Sequence, residues 1–188
     1  LKIISTELEE LALKYGAERR PEIAEATDDI GIEDMIVDEE MVVTVSHEGY
    51  IKRNATSLYR QQRRGGRGKT GAGTKGEDFI EHMFVASTHS YLMFFTNRGR
   101  VYWRKVHELP QAGRVARGKA IVNLLPLQPG EELSAFLAVR EFTKEQFVFF
   151  ATRAGTVKKT PLMDFSRPRA NGIRAINLAG NDELISVR

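Results

Sequence analysis

LMFFTNRGRVYWRK, Leu92 to Lys105, decides the fold. A short apolar run enters a polar turn with Gly99, and a second run ends in paired positive charge, Arg104-Lys105. The same order occurs in MVVTVSHEGYIKR, Met41 to Arg53, around Gly49, and in FVFFATRAGTVKK, Phe147 to Lys159, around Gly155. The period is two rather than 3.6, so each stretch reads as a β-hairpin. The glycine supplies the positive φ that tight hairpin turns demand.

Each hairpin belongs to a longer unit. Glu33-Asp34-Met35-Ile36, Glu77-Asp78-Phe79-Ile80, Glu131-Glu132-Leu133 and Asp182-Glu183-Leu184-Ile185 open successive units with two acids, at spacings of 44, 54 and 51 residues. Gly68-Lys69 follows Gly49 by 19 residues and Gly118-Lys119 follows Gly99 by 19, each after an arginine (Arg67, Arg117); Gly172, after Asn171, follows Gly155 by 17. The apolar runs INL and IVNLLPL read as strands leading to the next acidic opener. Units of roughly 40 to 50 residues with four strands each are the mark of propeller blades. The expected fold is all-β, an open arc of three full propeller-like repeats of about four antiparallel strands. The blades would cover residues 33–76, 77–130 and 131–181, with the start of a fourth at 182–188.

Ahead of the repeats, Ile4, Leu8, Leu11 and Tyr15 recur at helical steps, which predicts a short N-terminal amphipathic α-helix within residues 1–20, stopped near Gly16. Residues 21–32, PEIAEATDDIGI, read as an acidic connector. Leu1 falls inside the helical pattern, which reads as a piece of a longer polypeptide. The hydrophobic content of 41% excludes wholesale disorder. The chain has no cysteine, hence no disulfide and no thiolate metal site, and no apolar run of membrane-spanning length. A reducing cytoplasm fits this composition.

The net charge of +3 hides a division. Residues 1–48 carry four Lys/Arg against fourteen Asp/Glu, a net −10, whereas residues 49–188 carry a net +13. From Gly49 to Gly76 there are eight basic side chains (Lys52, Arg53, Arg60, Arg63, Arg64, Arg67, Lys69, Lys75) and no acid. A solvated face usually mixes signs, so this is the footprint of a phosphate-backbone binder.

Its densest part is QRRGGRGKTG, Gln62 to Gly71. A Walker A loop would need a glycine where Arg63 stands, and the preceding residues are not a buried apolar strand, so Gly68-Lys69-Thr70 does not complete a nucleotide site. The stretch occupies the place that PQAGRVARGKA and SRPRANGIR hold in the next two units, so it is a recurring blade loop and not an interdomain linker. Lys52/Arg53, Arg104/Lys105 and Lys158/Lys159 are taken as charge pairs at matching blade positions on a curved rim, joined by Lys69, Arg114, Arg117, Lys119 and Arg174. No base-reading helix is visible, which points to backbone binding without sequence readout.

Other chemistry is thin. His47, His82, His89 and His107 lack the spacing of a zinc pair and read as surface or turn residues. No serine sits in a G-x-S-x-G elbow. The paired acids resemble catalytic carboxylates, but their recurrence in every unit favours a turn role. No catalytic residue and no metal ligand is assigned. Trp103 and the Phe94-Phe95 and Phe149-Phe150 pairs are expected in the core, and Tyr50, Tyr59 and Tyr102 stand beside basic residues.

Gln62-Arg63-Arg64-Gly65-Gly66-Arg67-Gly68 resembles the seven-residue box in the C-terminal domain of the bacterial DNA gyrase A protein, and the units around it resemble that domain's β-pinwheel. KYGAERRPEI resembles the end of the helical hairpin that precedes it, which would occupy residues 1–20. The resemblance covers essentially the whole chain. The related topoisomerase IV protein usually has a degenerate box, so the intact heptad favours gyrase.

The resemblance implies a module that binds, bends and wraps duplex DNA, with the seven box residues as DNA-binding residues. It thereby supports ATP-dependent negative supercoiling by a type IIA topoisomerase, an isomerase whose catalytic tyrosine lies upstream of this segment. It also implies no cofactor here, since ATP and Mg2+ act elsewhere in the enzyme. Partners would be double-stranded DNA, the rest of the gyrase A protein and the gyrase B protein in an A2B2 holoenzyme, in the cytoplasm at the nucleoid and without a membrane. The alternatives are a topoisomerase IV-type accessory domain, a general nucleic-acid-binding β module without wrapping, and a protein-interaction propeller. The family's pinwheel has six blades, so three units would leave open strand edges, filled by chain beyond this segment or by another copy.

Overall fold

A computed structural model describes residues 2–17, 32–59 and 78–188. The box, Gln62–Gly68, and Lys69 lie outside the described residues, as does the acidic connector up to residue 31. The chain forms two compact units, Leu1–Ile32 and Glu33–Arg188.

In the first unit, helix α1 spans Lys2–Tyr15. Gly16 N–H still donates to Ala12 O at 2.8 Å, but the helix ends before it. The apolar stripe of Ile4, Leu8, Leu11 and Tyr15 is present as the periodicity predicts, and all four are exposed. No helix is long and apolar enough to cross a membrane among the described residues.

The second unit is all-β, with strands β1 (Glu40–Ser46), β2 (Tyr50–Ala55), β3 (Ile80–Ser87), β4 (Tyr91–Thr96), β5 (Arg100–Lys105), β6 (Lys119–Ala120), β7 (Leu133–Val139), β8 (Phe147–Thr152), β9 (Val157–Pro161), β10 (Ile173–Arg174) and β11 (Leu184–Val187). The three hairpins predicted around Gly49, Gly99 and Gly155 are β1–β2, β4–β5 and β8–β9. Their glycines have φ of 79°, 73° and 85°, the left-handed region that side chains disfavour.

The sheets do not follow the sequence units. Two have four strands, in the orders β3-β1-β2-β6 and β10-β5-β4-β7, and the third has three described strands, β11-β8-β9. All these pairings are antiparallel. Each hairpin takes its neighbour on one side from the opener of the next unit, and the first two take a two-residue strand on the other side from that unit's later loop. Thus residues 77–130 donate β3 and β6 to the first sheet and keep only β4 and β5 for the second.

This arrangement explains why Leu92-Met93-Phe94-Phe95 is continuously apolar. Successive strand residues face opposite ways. Leu92 and Phe94 pack with Met41, Val43, Ile51 and Ile121, whereas Met93 and Phe95 pack with Val148, Phe150, Phe165 and Leu184. The second sheet therefore buries both faces, and each fully buried large side chain contributes about 1.5–3 kcal/mol. Trp103, Phe94, Phe95 and Phe150 lie in the core as expected, but Phe149 does not: it is 45% exposed, whereas Met93 at the same rung of β4 is fully buried.

The run IVNLLPL is not a strand. Ile121–Asn123 forms a 3-10 turn with Ile121 N–H donating to Gly49 O at 2.9 Å. Pro126 has no N–H for a ladder, and Ile121 and Leu125 fill the core from an irregular path. INL is likewise outside any strand, with Ile176 buried and its N–H on Gly99 O at 3.2 Å.

Candidate nucleic-acid interface

Each hairpin is tied at its turn by a repeated clasp. The last residue of the first strand is Ser46, Thr96 or Thr152, and its side-chain oxygen accepts the N–H of Tyr50, Arg100 or Thr156 four residues on, at 3.1–3.3 Å. Facing it is an acid from the next unit's opener: Asp78, Glu131 or Asp182. Asp78 Oδ1 accepts the N–H of Glu48, and Asp182 Oδ1 those of Ala154 and Glu183. Glu131, whose side chain has no exposed surface, accepts the Tyr102 hydroxyl at 2.7 Å, Gln128 N–H at 2.8 Å and the Thr96 hydroxyl at 3.3 Å. Asp78, Glu131 and Asp182 thus fix turns, as the recurrence of the openers suggests, whereas Glu33 of the first opener pairs with Lys105.

The pKa directions agree. The Thr152 hydroxyl holds the Asp182 carboxyl below its usual value, helped by the Ala154 and Glu183 amides. Burial pushes Asp78 up, but the Ser46 hydroxyl, the Glu48 and Phe79 amides and Arg117 together outweigh it, and the carboxyl sits low. Burial, and then Glu131, raises the Tyr102 phenol.

On this frame hang two loops rich in arginine and glycine. Residues 109–118 lie against β2: Arg53 N–H donates to Pro110 O at 3.0 Å, Ala112 N–H to Arg53 O at 3.2 Å, and Asn54 Nδ2 to Ala112 O. The loop closes at Gly118, with φ of 90°, whose added Cβ would stand 2.5 Å from Ile51 O. Residues 166–174 meet β5 by other contacts: Ile173 and Arg174 pair with Val101 and Arg100, Arg100 Nη2 donates to Asn171 O at 2.6 Å, and a Cβ on Gly172 would meet the Tyr102 ring at 2.7 Å.

The structure divides the expected rim residues. Lys52 is corrected: it is 1% exposed, and its ammonium lies under the loop, donating to the carbonyls of Gly113, Arg114 and Ala116 at 3.4, 2.6 and 2.5 Å. Burial pushes its pKa down. Arg53 is half-buried, with Nε on Leu109 O at 2.9 Å, and burial lowers its pKa too. Arg104 gives Nε and Nη2 to Leu124 O, at 2.9 and 2.6 Å. Lys105, with a side chain 16% exposed, is held by Glu33 at 2.7 Å, by His89 O at 2.9 Å and over the Tyr91 ring.

Only two of the three charge pairs share a position: Lys158-Lys159 stands at the rungs of Lys52-Arg53, and Arg104-Lys105 does not. By register Lys52 faces Thr44, Tyr102 faces Phe94 and Lys158 faces Phe150, so the rung of Lys52 in the second sheet holds Tyr102, and Arg104-Lys105 sits two residues further on.

Other basic residues do face outward. Arg117 is exposed on its loop, stacked 3.7 Å from the Tyr50 ring centroid and ion-paired with Glu48. Lys119 on β6 and Arg174 on β10 are exposed, and Arg114 is half-buried. Lys158 donates to Ala175 O at 2.7 Å and Lys159 lies 3.9 Å from the Phe147 ring centroid, both exposed. Arg167 and Arg169, exposed on the second loop, belong with this group although the charge-pair pattern passes over them; aligning the loops on their glycines finds them.

His47 and His82 are exposed beside Glu81, and His89 and His107 are half-buried on carbonyls of Ile36 and Thr88. Among the described residues no group of three or more His, Asp or Glu is placed to hold a metal ion.

The profile of a family described as DNA gyrase C-terminal domain, beta-propeller, matches residues 40–87, 90–140 and 146–188. The chain belongs to this family. The DNA gyrase A protein of Aeromonas salmonicida is 51% identical over 187 residues, which is 100% of this chain and 20% of that protein. The DNA gyrase A protein of Neisseria gonorrhoeae is 55% identical over 98% of the chain, again 20% of that protein. This gyrase C-terminal segment therefore spans about a fifth of the length of these relatives. Among solved structures, the C-terminal domain of DNA topoisomerase IV superposes with a TM-score of 0.69 at 31% identity, covering 82% of this chain and 46% of that one. The DNA gyrase A C-terminal domain superposes at 0.59 and 24% identity over 79% and 47%, a likeness of fold.

Proposed function

We propose that this gyrase C-terminal segment binds duplex DNA without sequence readout and bends it along successive blade loops, so that the DNA wraps and the assembled enzyme introduces negative supercoils with ATP. The observation that carries the reading is the pair of loops locked on β2 and β5, which expose Arg117 and Lys119 in one case and Arg167, Arg169 and Arg174 in the other. Each cation on a phosphate releases counterions, which gives strong, sequence-tolerant binding. Bending 20–30 base pairs by 40–90° costs about 1–6 kcal/mol, so several such contacts must offset it. The box, by its place in the repeat, is the corresponding loop of the first unit and the richest in arginine. No catalytic residue, metal or cofactor is assigned to the segment. Its partners are DNA, the rest of the gyrase A protein and the gyrase B protein, in the bacterial cytoplasm.

The likeness to the topoisomerase IV domain, at a TM-score of 0.69, favours a second reading in which the segment binds DNA without wrapping it. The sign of trapped writhe separates the two. The full-length protein is bound to nicked circular DNA, the nick is sealed, and the linking number is read on a gel. Wrapping leaves positive writhe; circles indistinguishable from protein-free controls reject wrapping and leave the plain binder.

A further inference from the structure

Lys52 sits at an unusual place for a cation: beneath a basic loop, with its charge turned toward the backbone. The ammonium has three N–H groups and meets three carbonyls from four consecutive residues, Gly113, Arg114 and Ala116, so its donors are all matched. Carbonyl dipoles converging on one point repel each other, and a buried cation reverses the sign of that interaction. The neighbouring residues of β2 continue the hold, Arg53 on Leu109 and Pro110 and Asn54 on Ala112. The second sheet places Tyr102 at this rung, with its hydroxyl on Glu131. The third sheet places Lys158 there, exposed and donating to Ala175 O, so among the described residues the cation buried beneath a loop is found in the first sheet.

We propose that Lys52 is a positioning residue for DNA binding: it draws the backbone of residues 113–116 inward and so presents Arg114 and Arg117 to the phosphate backbone in advance. The inference rests on the reading of this loop as a DNA surface. With the loop backbone preformed, binding does not have to order residues 113–116, and that ordering is a cost which lowers affinity without changing the number of phosphates neutralised. A residue that touches phosphate behaves differently, since its loss also lowers the salt dependence.

The experiment uses the full-length protein with Lys52→Met, which keeps the chain length and removes the charge. DNA affinity is measured across a range of potassium concentrations. Affinity should fall about tenfold, on the order of the cost of fixing one residue of backbone, while the slope of log K against log salt stays at the parent value. A slope lower by about 0.9 would make Lys52 a phosphate contact, and an unchanged affinity with a lower melting temperature would make it a plain core residue; either overturns the proposal. Amine acetylation of the unaltered protein, read by mass spectrometry with and without DNA, does not depend on the variant folding. Lys52 should stay unmodified in both states while Lys119 is modified when free and protected by DNA. Acetylation of Lys52 in the free protein that DNA suppresses would also overturn it. If Arg114→Ala and Arg117→Ala leave both affinity and slope unchanged, the loop is not a DNA surface and the proposal falls with that reading; if they act and Lys52→Met does not, this inference alone fails.

Discussion

Tyr102→Phe removes a single hydroxyl from the interior of the second sheet. In the folded protein that hydroxyl donates to Glu131 Oε2 at 2.7 Å, where the carboxylate has no contact with solvent. Glu131 keeps the Gln128 N–H and the Thr96 hydroxyl after the change, and Arg100 Nε stays 3.7 Å away. A hydrogen bond to a charged group contributes about 1.5–3 kcal/mol, and the retained partners place this loss near the lower end, about 1.5–2 kcal/mol. For a domain of this size that lowers Tm by roughly 3–8 °C, measured by calorimetry on the full-length protein. A double-mutant cycle with Glu131→Gln sharpens the test, because a neutral acceptor roughly halves the bond and the effect of Tyr102→Phe should shrink accordingly. The pH dependence has a defined sign. Burial and Glu131 raise the phenol's folded pKa, so its contribution is present below the unfolded value near 10 and is lost as pH rises through the folded one. The gap between parent and variant should therefore close in strong alkali. A variant melting within about 1 °C of the parent at neutral pH would refute the argument.

Replacing Arg63, Arg64 and Arg67 together by Ala should reduce the salt slope of DNA binding by about 2 to 3, similarly on unrelated sequences, and supercoiling should be lost in the assembled enzyme while relaxation survives. Unchanged slope and supercoiling would make the box only a loop. Glu48→Gln releases Arg117 from its ion pair and should tighten DNA binding by about two- to fivefold, the worth of an exposed pair; weaker binding would contradict the outward role of Arg117. Asp182→Asn should lower the urea midpoint at neutral pH and flatten its fall in acid. The Thr152 hydroxyl depresses the Asp182 pKa, so its contribution is present above the unfolded value near 4 and is lost as pH falls through the folded one. An acid limb unchanged in the variant would remove Asp182 from the clasp.

The hairpins were legible because alternation and a turn glycine are both local, and Gly49, Gly99 and Gly155 mark them without reference to anything distant. The openers were legible through recurrence, which marks Asp78, Glu131 and Asp182 as turn parts, and their hydroxyl partners Ser46, Thr96 and Thr152 recur too, each three residues before the turn glycine. The rim was legible only in part. Matching doublets of charge aligned Lys52-Arg53 with Arg104-Lys105, whereas counting from the turn glycine aligns Lys52 with Tyr102. Charge in a sequence also carries no sign of direction. The partners of Lys52, Arg53 and Arg104 are backbone carbonyls, and every residue type has one. For the same reason the interleaving of the sheets was hidden: β6 is two residues long and bonds through its main chain, so Lys119-Ala120 has no strand pattern to read.

The pairing of Ile51 with Lys119 has a consequence for how this polypeptide is made. On the ribosome, the first hairpin emerges well before the segment that finishes its sheet. Synthesis runs at about 5–20 residues per second, so the exposed side of β2 waits roughly 3 to 14 s for its last strand. During that interval its unpaired N–H and C=O groups are open to any other extended chain nearby. Removing one sequence unit would not delete one sheet: it would leave two unfinished. Duplication or loss of units in such a gene is therefore tolerated only where the flanking edges still match, and a nascent chain stalled before residue 119 would be a target for chaperones.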